Sequence, residues 1–176
     1  MSNCSINNYG CEALADGLSR NTSLKQLDIA NNKFTANGLK RWSEVINKSG
    51  LIHLDMSNNA LEDEGTLLLI KGIQYTSSTE PVVTSNLTSL GLRGVSMRNA
   101  GASALCVMMT SNIKIINLKV ETNSFNHKYL EELKAACKRN KQILKSETVP
   151  RFKDELGHLI EVTKVHTKQE SLSHAS

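Results

Sequence analysis

The chain has 176 residues, a formal net charge of +4, and 39% hydrophobic against 22% charged residues. That suits one domain with a buried core and excludes compositional disorder, while so mild a charge does not argue for nucleic acid. No run of 18 apolar residues exists, which excludes a transmembrane helix. Only 2 prolines leave room for regular structure, and 4% aromatics make the core aliphatic. Asparagine is abundant, at 17 residues, which implies many turns and side-chain-to-backbone bonds. The start of the chain has neither the charged nor the apolar stretch of a signal peptide. Cys4, Cys11, Cys106 and Cys137 form no Cys-x-x-Cys pair and read as reduced thiols of a cytosolic protein.

In chain order, Cys4, Ile6 and Gly10 open a partial unit that Leu14, Gly17 and Leu18 complete as a helix. Then Leu24, Leu27, Ile29, Asn32 and Phe34 set a spacing of L-x-x-L-x-L-x-x-N-x-F. That spacing returns at Leu51, Leu54, Met56, Asn59 and Leu61, and again at Leu87, Leu90, Leu92, Val95 and Met97. It returns last at Ile115, Leu118, Val120, Asn123 and Phe125. Between these stretches, Gly38, Trp42, Val45 and Ile46 align with Gly65, Leu69, Gly72 and Ile73, then with Gly101, Leu105, Met108 and Met109. Alternation in the first half of each unit predicts a strand, and steps of three and four in the second half predict a helix. Trp42 falls at a helix core position.

The repeat resembles the leucine-rich repeat family, in its ribonuclease-inhibitor-like subfamily of about 28-residue units, over residues 4–146. The resemblance implies an α/β solenoid, a horseshoe segment with a parallel concave sheet and convex helices. Stacking supports it physically, because one unit cannot bury its own apolar face. The family's asparagine, here Asn32, Asn59 and Asn123, bonds the backbone of neighbouring turns. Val95 departs from it, so a break in that ladder is expected around Gly94 and Val95. The partial first unit lacks a polar cap, from which upstream repeats are expected.

Domain bounds follow: repeats over 1–147, with a polar insertion at 74–86 in the third unit. Phe152, Leu156, Leu159, Ile160 and Thr163 then predict an amphipathic helix within 148–168 that closes the stack. A disordered tail is expected at 169–176. The insertion reads as a solvated loop or, secondarily, as a binding element.

Alternation places Gln26, Asp28, His53, Asp55, Ser57, Arg93, Lys119 and Glu121 on the concave face. Asp28 and Asp55 should be neighbouring carboxylates beside His53. Paired carboxylates near a histidine could serve acid–base chemistry or a metal, but an open sheet excludes no water, and protein contact is the preferred reading. No nucleotide loop, zinc spacing or nucleophile elbow is present, so no cofactor, metal or catalytic residue is assigned. A second surface, Lys138, Arg139, Lys141 and Lys145, either complements a helix C-terminus or lands an acidic partner. Residues 128–176 carry 10 basic and 7 acidic side chains.

The expectation is a non-enzymatic protein–protein interaction module, part of a larger cytoplasmic scaffold. The alternative is a cytoskeletal component that binds filaments, similar to tropomodulin's repeat domain or to ciliary axoneme proteins. A GTPase-activating regulator ranks lower, since its relatives carry an acidic tail and this tail is basic. Ribonuclease inhibitors are long, acidic and cysteine-rich, and this chain is not. The partner's identity is left open.

Overall fold

The computed structural model describes residues 1–75 and 83–146. They belong to two units, Met1–Asn140 and a second that begins at Lys141. The expected closing helix and tail, and the centre of the insertion, lie outside the described residues.

The first unit runs α1 (Asn8–Leu18), β1 (Gln26–Asp28), a 3-10 turn (Ala36–Leu39), α2 (Trp42–Val45), β2 (His53–Asp55) and α3 (Glu62–Ile73). It continues with β3 (Gln74–Tyr75), β4 (Val83–Thr84), β5 (Ser89–Gly91), α4 (Asn99–Ser111) and β6 (Asn117–Lys119). Residues 127–140 of a last helix, α5, complete it. In the second unit, residues 141–146 are helical.

The chain forms an α/β solenoid. Strands β1, β2, β5 and β6 make one parallel sheet in that order, and a helical segment follows each repeat's strand. Parallel neighbours need a crossover, and the helix of each unit supplies it. Repeat spacing becomes register directly: Leu27, Leu54, Leu90 and Leu118 are Cα partners across the sheet. Leu54 and Leu90 are buried in the middle, and Leu27 and Leu118 at the two sides are half-buried.

Ile29, Met56, Leu92, Phe34, Leu61 and Met97 fill the interior behind the strands, and Leu39, Leu69 and Leu105 face them from the helical layer. Trp42 is fully buried and its indole N–H donates to Cys11 O at 3.0 Å. Burying so large a ring with its one donor satisfied stabilises the stack by several kcal/mol, on the order of 3–5 if truncated to alanine.

The helical layer departs from the sequence in two places. In the first full repeat the helix breaks into the 3-10 turn and a one-turn α2, where Asn37 and Gly38, both poor helix formers, sit early in the segment. The insertion is not simply a loop. Its ends, Gln74–Tyr75 and Val83–Thr84, pair antiparallel, and Gln74 Nε2 donates to Met108 O (3.1 Å) and Ser111 Oγ (2.8 Å).

The asparagine ladder forms at three rungs. Asn32 Oδ1 accepts Cys4 N and Ile6 N, both at 3.0 Å, and Asn59 Oδ1 accepts Asn32 N at 3.1 Å. Asn123 Oδ1 accepts Val95 N (2.9 Å) and Met97 N (3.0 Å), while its Nδ2 donates to Leu92 O and Val120 O. Val95 offers no such group, so Leu61 N turns back to Asn59 O at 3.0 Å and Glu62 N donates to Val95 O at 2.8 Å. Glu62 adopts φ +57° there. The residue before each of Asn32, Asn59, Val95 and Asn123 takes left-handed backbone, and Asn31, Asn58, Gly94 and Thr122 supply it with φ of +54 to +59°.

Candidate functional site

The strands present two rows of side chains on the concave face. Register pairs Gln26 with His53, His53 with Ser89, and Ser89 with Asn117. The second row is Asp28, Asp55, Gly91 and Lys119. All of these residues but Asn117 line a shallow depression of about 400 Å³.

Both carboxylates are held from below. Ala30 N donates to Asp28 Oδ1 at 2.9 Å, and Ser57 N donates to Asp55 Oδ1 at 3.0 Å. A hydrogen bond from the Ser2 side chain, then the one from Ala30 N–H, holds the Asp28 carboxyl below the usual carboxylate range. Asp28 therefore stays an anion across the physiological range.

Gly91 sets the shape of the depression. A Cβ built there would lie 2.3 Å from Asp55 Oδ1, so the Asp55 carboxylate occupies the space a side chain would need. Lys119 lies two strands from Asp55, ~10 Å at the ordinary strand spacing. With nothing standing between them, Lys119 Nζ reaches Asp55 Oδ2 at 3.4 Å. Farther along, Arg93 Nε meets Glu121 Oε2 at 3.4 Å, with both side chains about half exposed. Exposed pairs of this kind contribute little, about 0–1 kcal/mol each, and are available to exchange partners.

Five of the eight concave residues read from sequence, Gln26, Asp28, His53, Asp55 and Lys119, stand in the strands and line the depression, and Arg93 and Glu121 are exposed two residues past the ends of β5 and β6. Ser57, at the same repeat position as Arg93 and Glu121, is buried instead: it is 6% exposed, and its Oγ accepts Arg93 N at 3.1 Å. All three positions lie past the ends of their strands, where the chain bends toward left-handed Asn58, Gly94 and Thr122.

The basic group also divides. Arg139 is half-buried: Nη2 donates to Met109 O and to Asn140 Oδ1, and Nε donates to the same Oδ1 at 3.1 Å. Asn140 in turn donates to Asn112 O and Ile115 O. Arg139 thus fastens the C-terminus of α4, the bland reading of its charge. Lys138 is exposed in the first unit, and Lys141 and Lys145 are exposed in the second.

Sequence reasoning missed a groove of about 600 Å³ between α4 and α5, lined by Cys106, Val107, Tyr129 and Ala136 among others. Val107 is 67% exposed there; an apolar residue on the outer side of a helix was the available signal. Cys106 Sγ donates to Tyr129 O at 3.8 Å, and burial pushes its thiol up to about 11, which leaves it unreactive. Among the described residues, no group of three or more His, Cys, Asp or Glu side chains could hold a metal ion. No helix among them is long and apolar enough to cross a membrane.

A family model described as Leucine Rich repeat matches residues 20–41 and 51–69. The chain belongs to the leucine-rich repeat family. Its relatives place it in the ribonuclease-inhibitor-like group. This leucine-rich repeat chain is 33% identical over 126 residues to mouse NACHT, LRR and PYD domains-containing protein 14, covering 69% of the chain and 12% of that protein. It is 24% identical over 175 residues to mouse ribonuclease inhibitor, covering 82% of the chain and 37% of the inhibitor. The chain thus spans about an eighth of the first relative's length and little more than a third of the second's. A solved structure titled Leiomodin-1 Actin-Binding Site 2 matches with a TM-score of 0.69 at 11% identity, covering 87% of the repeat chain and 85% of its own. That likeness establishes the fold.

Proposed function

We propose that this chain is a non-enzymatic protein-binding module of a larger cytoplasmic scaffold, and that it engages its partner through the concave sheet. The observation that carries this reading is the pair of aligned rows across β1, β2, β5 and β6. They expose polar and charged side chains on an open, water-accessible surface with both signs of charge. Such a surface gives electrostatic complementarity and register to a protein contact. An enclosed pocket that could shield a reacting centre from water is what chemistry would require, and an open depression is a poor substitute. Leucine-rich repeat relatives are generally interaction modules, which supports the same reading.

A second reading is favoured by one specific likeness. The fold matches a leiomodin segment titled as an actin-binding site along most of both chains. On that reading the module belongs to a cytoskeletal assembly and contacts a filament.

The test is affinity capture from an extract of the cells that express the protein, with wild type compared against Asp28→Lys, Asp55→Lys, Arg93→Glu. The expected outcome is a partner bound by wild type and reduced at least about tenfold for the variant, the loss of roughly 1.4 kcal/mol or more. Equal capture by both proteins overturns the concave assignment. Co-sedimentation of wild type with actin filaments separates the second reading from the first.

A further inference from the structure

Each strand of the parallel sheet hands a fixed set of backbone bonds to the next. Lys25 O accepts Ile52 N and His53 N, Ile52 O accepts Thr88 N and Ser89 N, and Thr88 O accepts Ile116 N and Asn117 N. In return, Ile29 N donates to Asp55 O, Met56 N to Gly91 O, and Leu92 N to Lys119 O. Two residues further on, Asn31 N, Asn58 N and Gly94 N donate to Ser57 O, Arg93 O and Glu121 O. At β6 the pattern stops. Ile116 O, Val120 N and Thr122 N hold the fourth place in each series, and none has a partner among the described residues. Residues 141–146 are helical, and no described strand follows β6 in the sheet.

Unpaired backbone groups at a sheet edge are a template for one more strand, and the side chains beside them say which strand fits. Leu118 ends the column of Leu27, Leu54 and Leu90 and is half-buried. Val120 is buried, at the repeat position of Ile29, Met56 and Leu92. A further strand would set an aliphatic residue beside each. Lys119 and Glu121 alternate with them and are exposed. Their ion pairs, to Asp55 and Arg93, are both 3.4 Å long, longer than a good charge-assisted bond. In parallel register the edge therefore suits an acidic residue beside Lys119 and a basic one beside Glu121.

We propose that the free edge of β6 takes an extended segment of the partner protein as a fifth parallel strand, with the pattern aliphatic–acidic–aliphatic–basic. This deepens the concave-face reading and rests on it, because the added strand widens the same sheet and presents its acidic side chain on the concave face. Main-chain bonds supply the attachment and alternate side chains the specificity. The opposite edge, at β1, is a poorer template, since Asn3 N already donates to Ala30 O and Cys4 N to Asn32 Oδ1 there.

The probe is the acetylated and amidated peptide Thr-Ser-Leu-Asp-Leu-Arg-Asn, titrated into the full 15N-labelled chain and followed by NMR and hydrogen exchange. One control is N-methylated on its Thr and Ser, whose N–H groups would donate to Ile116 O. A second replaces Asp by Lys and Arg by Glu. In the free chain the Thr122 amide should exchange faster than that of Gly94, its equivalent with an acceptor. The probe should give saturable shifts at Leu118, Val120 and Thr122 and slow Thr122 exchange at least about tenfold. The N-methylated peptide should bind at least about tenfold more weakly. Lys119→Glu should weaken the probe several-fold and strengthen the charge-exchanged peptide. A Thr122 amide as protected as Gly94 in the free chain, or an absence of saturable binding, overturns the proposal. So does equal binding of the N-methylated peptide, shifts centred on β1, or an unchanged preference in Lys119→Glu. If the peptide fails while the charge-reversed variant still loses its partner, the concave reading stands without the fifth strand. If the peptide binds while partner capture is unaffected by reversal, the edge takes a strand and the concave reading falls.

Discussion

Helices α3 and α4 begin in equivalent places of successive repeats, yet the two starts are held differently. At α4, Asp63 Oδ1 from the preceding repeat accepts Arg98 N at 2.7 Å and Gly101 N at 2.9 Å. From the following repeat, Asn123 accepts Met97 N just before the helix. At α3 neither clamp exists. Ala36 stands where Asp63 would be, Val95 stands where Asn123 would be, and the Leu61 N-cap makes no side-chain bond. What remains is an acidic first turn, Glu62, Asp63 and Glu64, which complements the helix dipole by ~0.3–1 kcal/mol per charge. The difference shows that α4, whose Arg98 N-cap makes no side-chain bond of its own, is capped by the repeats on either side of it. Asn8 and Asn99 do the same work elsewhere, bonding Thr35 N and Asn126 N at 2.8 Å.

The largest expected effect comes from removing a rung that works. Asn123→Ala strands Val95 N and Met97 N beside fully buried side chains and leaves Leu92 O and Val120 O short of a donor. It should cost about 3 kcal/mol in urea denaturation at unchanged slope. A loss under about 1 kcal/mol would mean that the ladder is ornamental. A smaller and opposite effect sharpens the comparison. Val95→Asn restores an acceptor for Leu61 N and should stabilise by up to about 1 kcal/mol, since new hydrogen bonds offset the lost apolar burial. Slower hydrogen exchange at the Leu61 amide is the direct readout, and faster exchange there would show that the turn cannot accept the rung.

Much of this molecule is legible in the repeat. Spacing alone aligns Leu27, Leu54, Leu90 and Leu118, and the same alignment places Asp28 beside Asp55. It also anticipates that Val95 interrupts the ladder. What spacing does not carry is reach. Gly91 appears in its row as one more residue, yet its missing side chain lets Lys119 cross two strands to Asp55. Arg139 reads as a surface charge, but its guanidinium is drawn in by Met109 O and Asn140. Ser57 shares a repeat position with exposed Arg93 and Glu121, yet it is buried with its hydroxyl accepting Arg93 N. The second ladder was present as Asn8, Asp63 and Asn99 at one repeat position, a polar recurrence hidden by Ala36. In each case a single repeat departs from its neighbours, and the consequence depends on contacts from the units beside it.

The central claim is that partner binding lies on the concave sheet. The most direct measurement places a photo-crosslinking amino acid at Ser89, in the middle of the sheet, and separately at Val107, on the exposed side of α4. Irradiation in cell extract should covalently trap one and the same partner through position 89 and leave position 107 unlinked. Trapping through position 107 with none through position 89 would contradict the account and move the interface to the groove between α4 and α5.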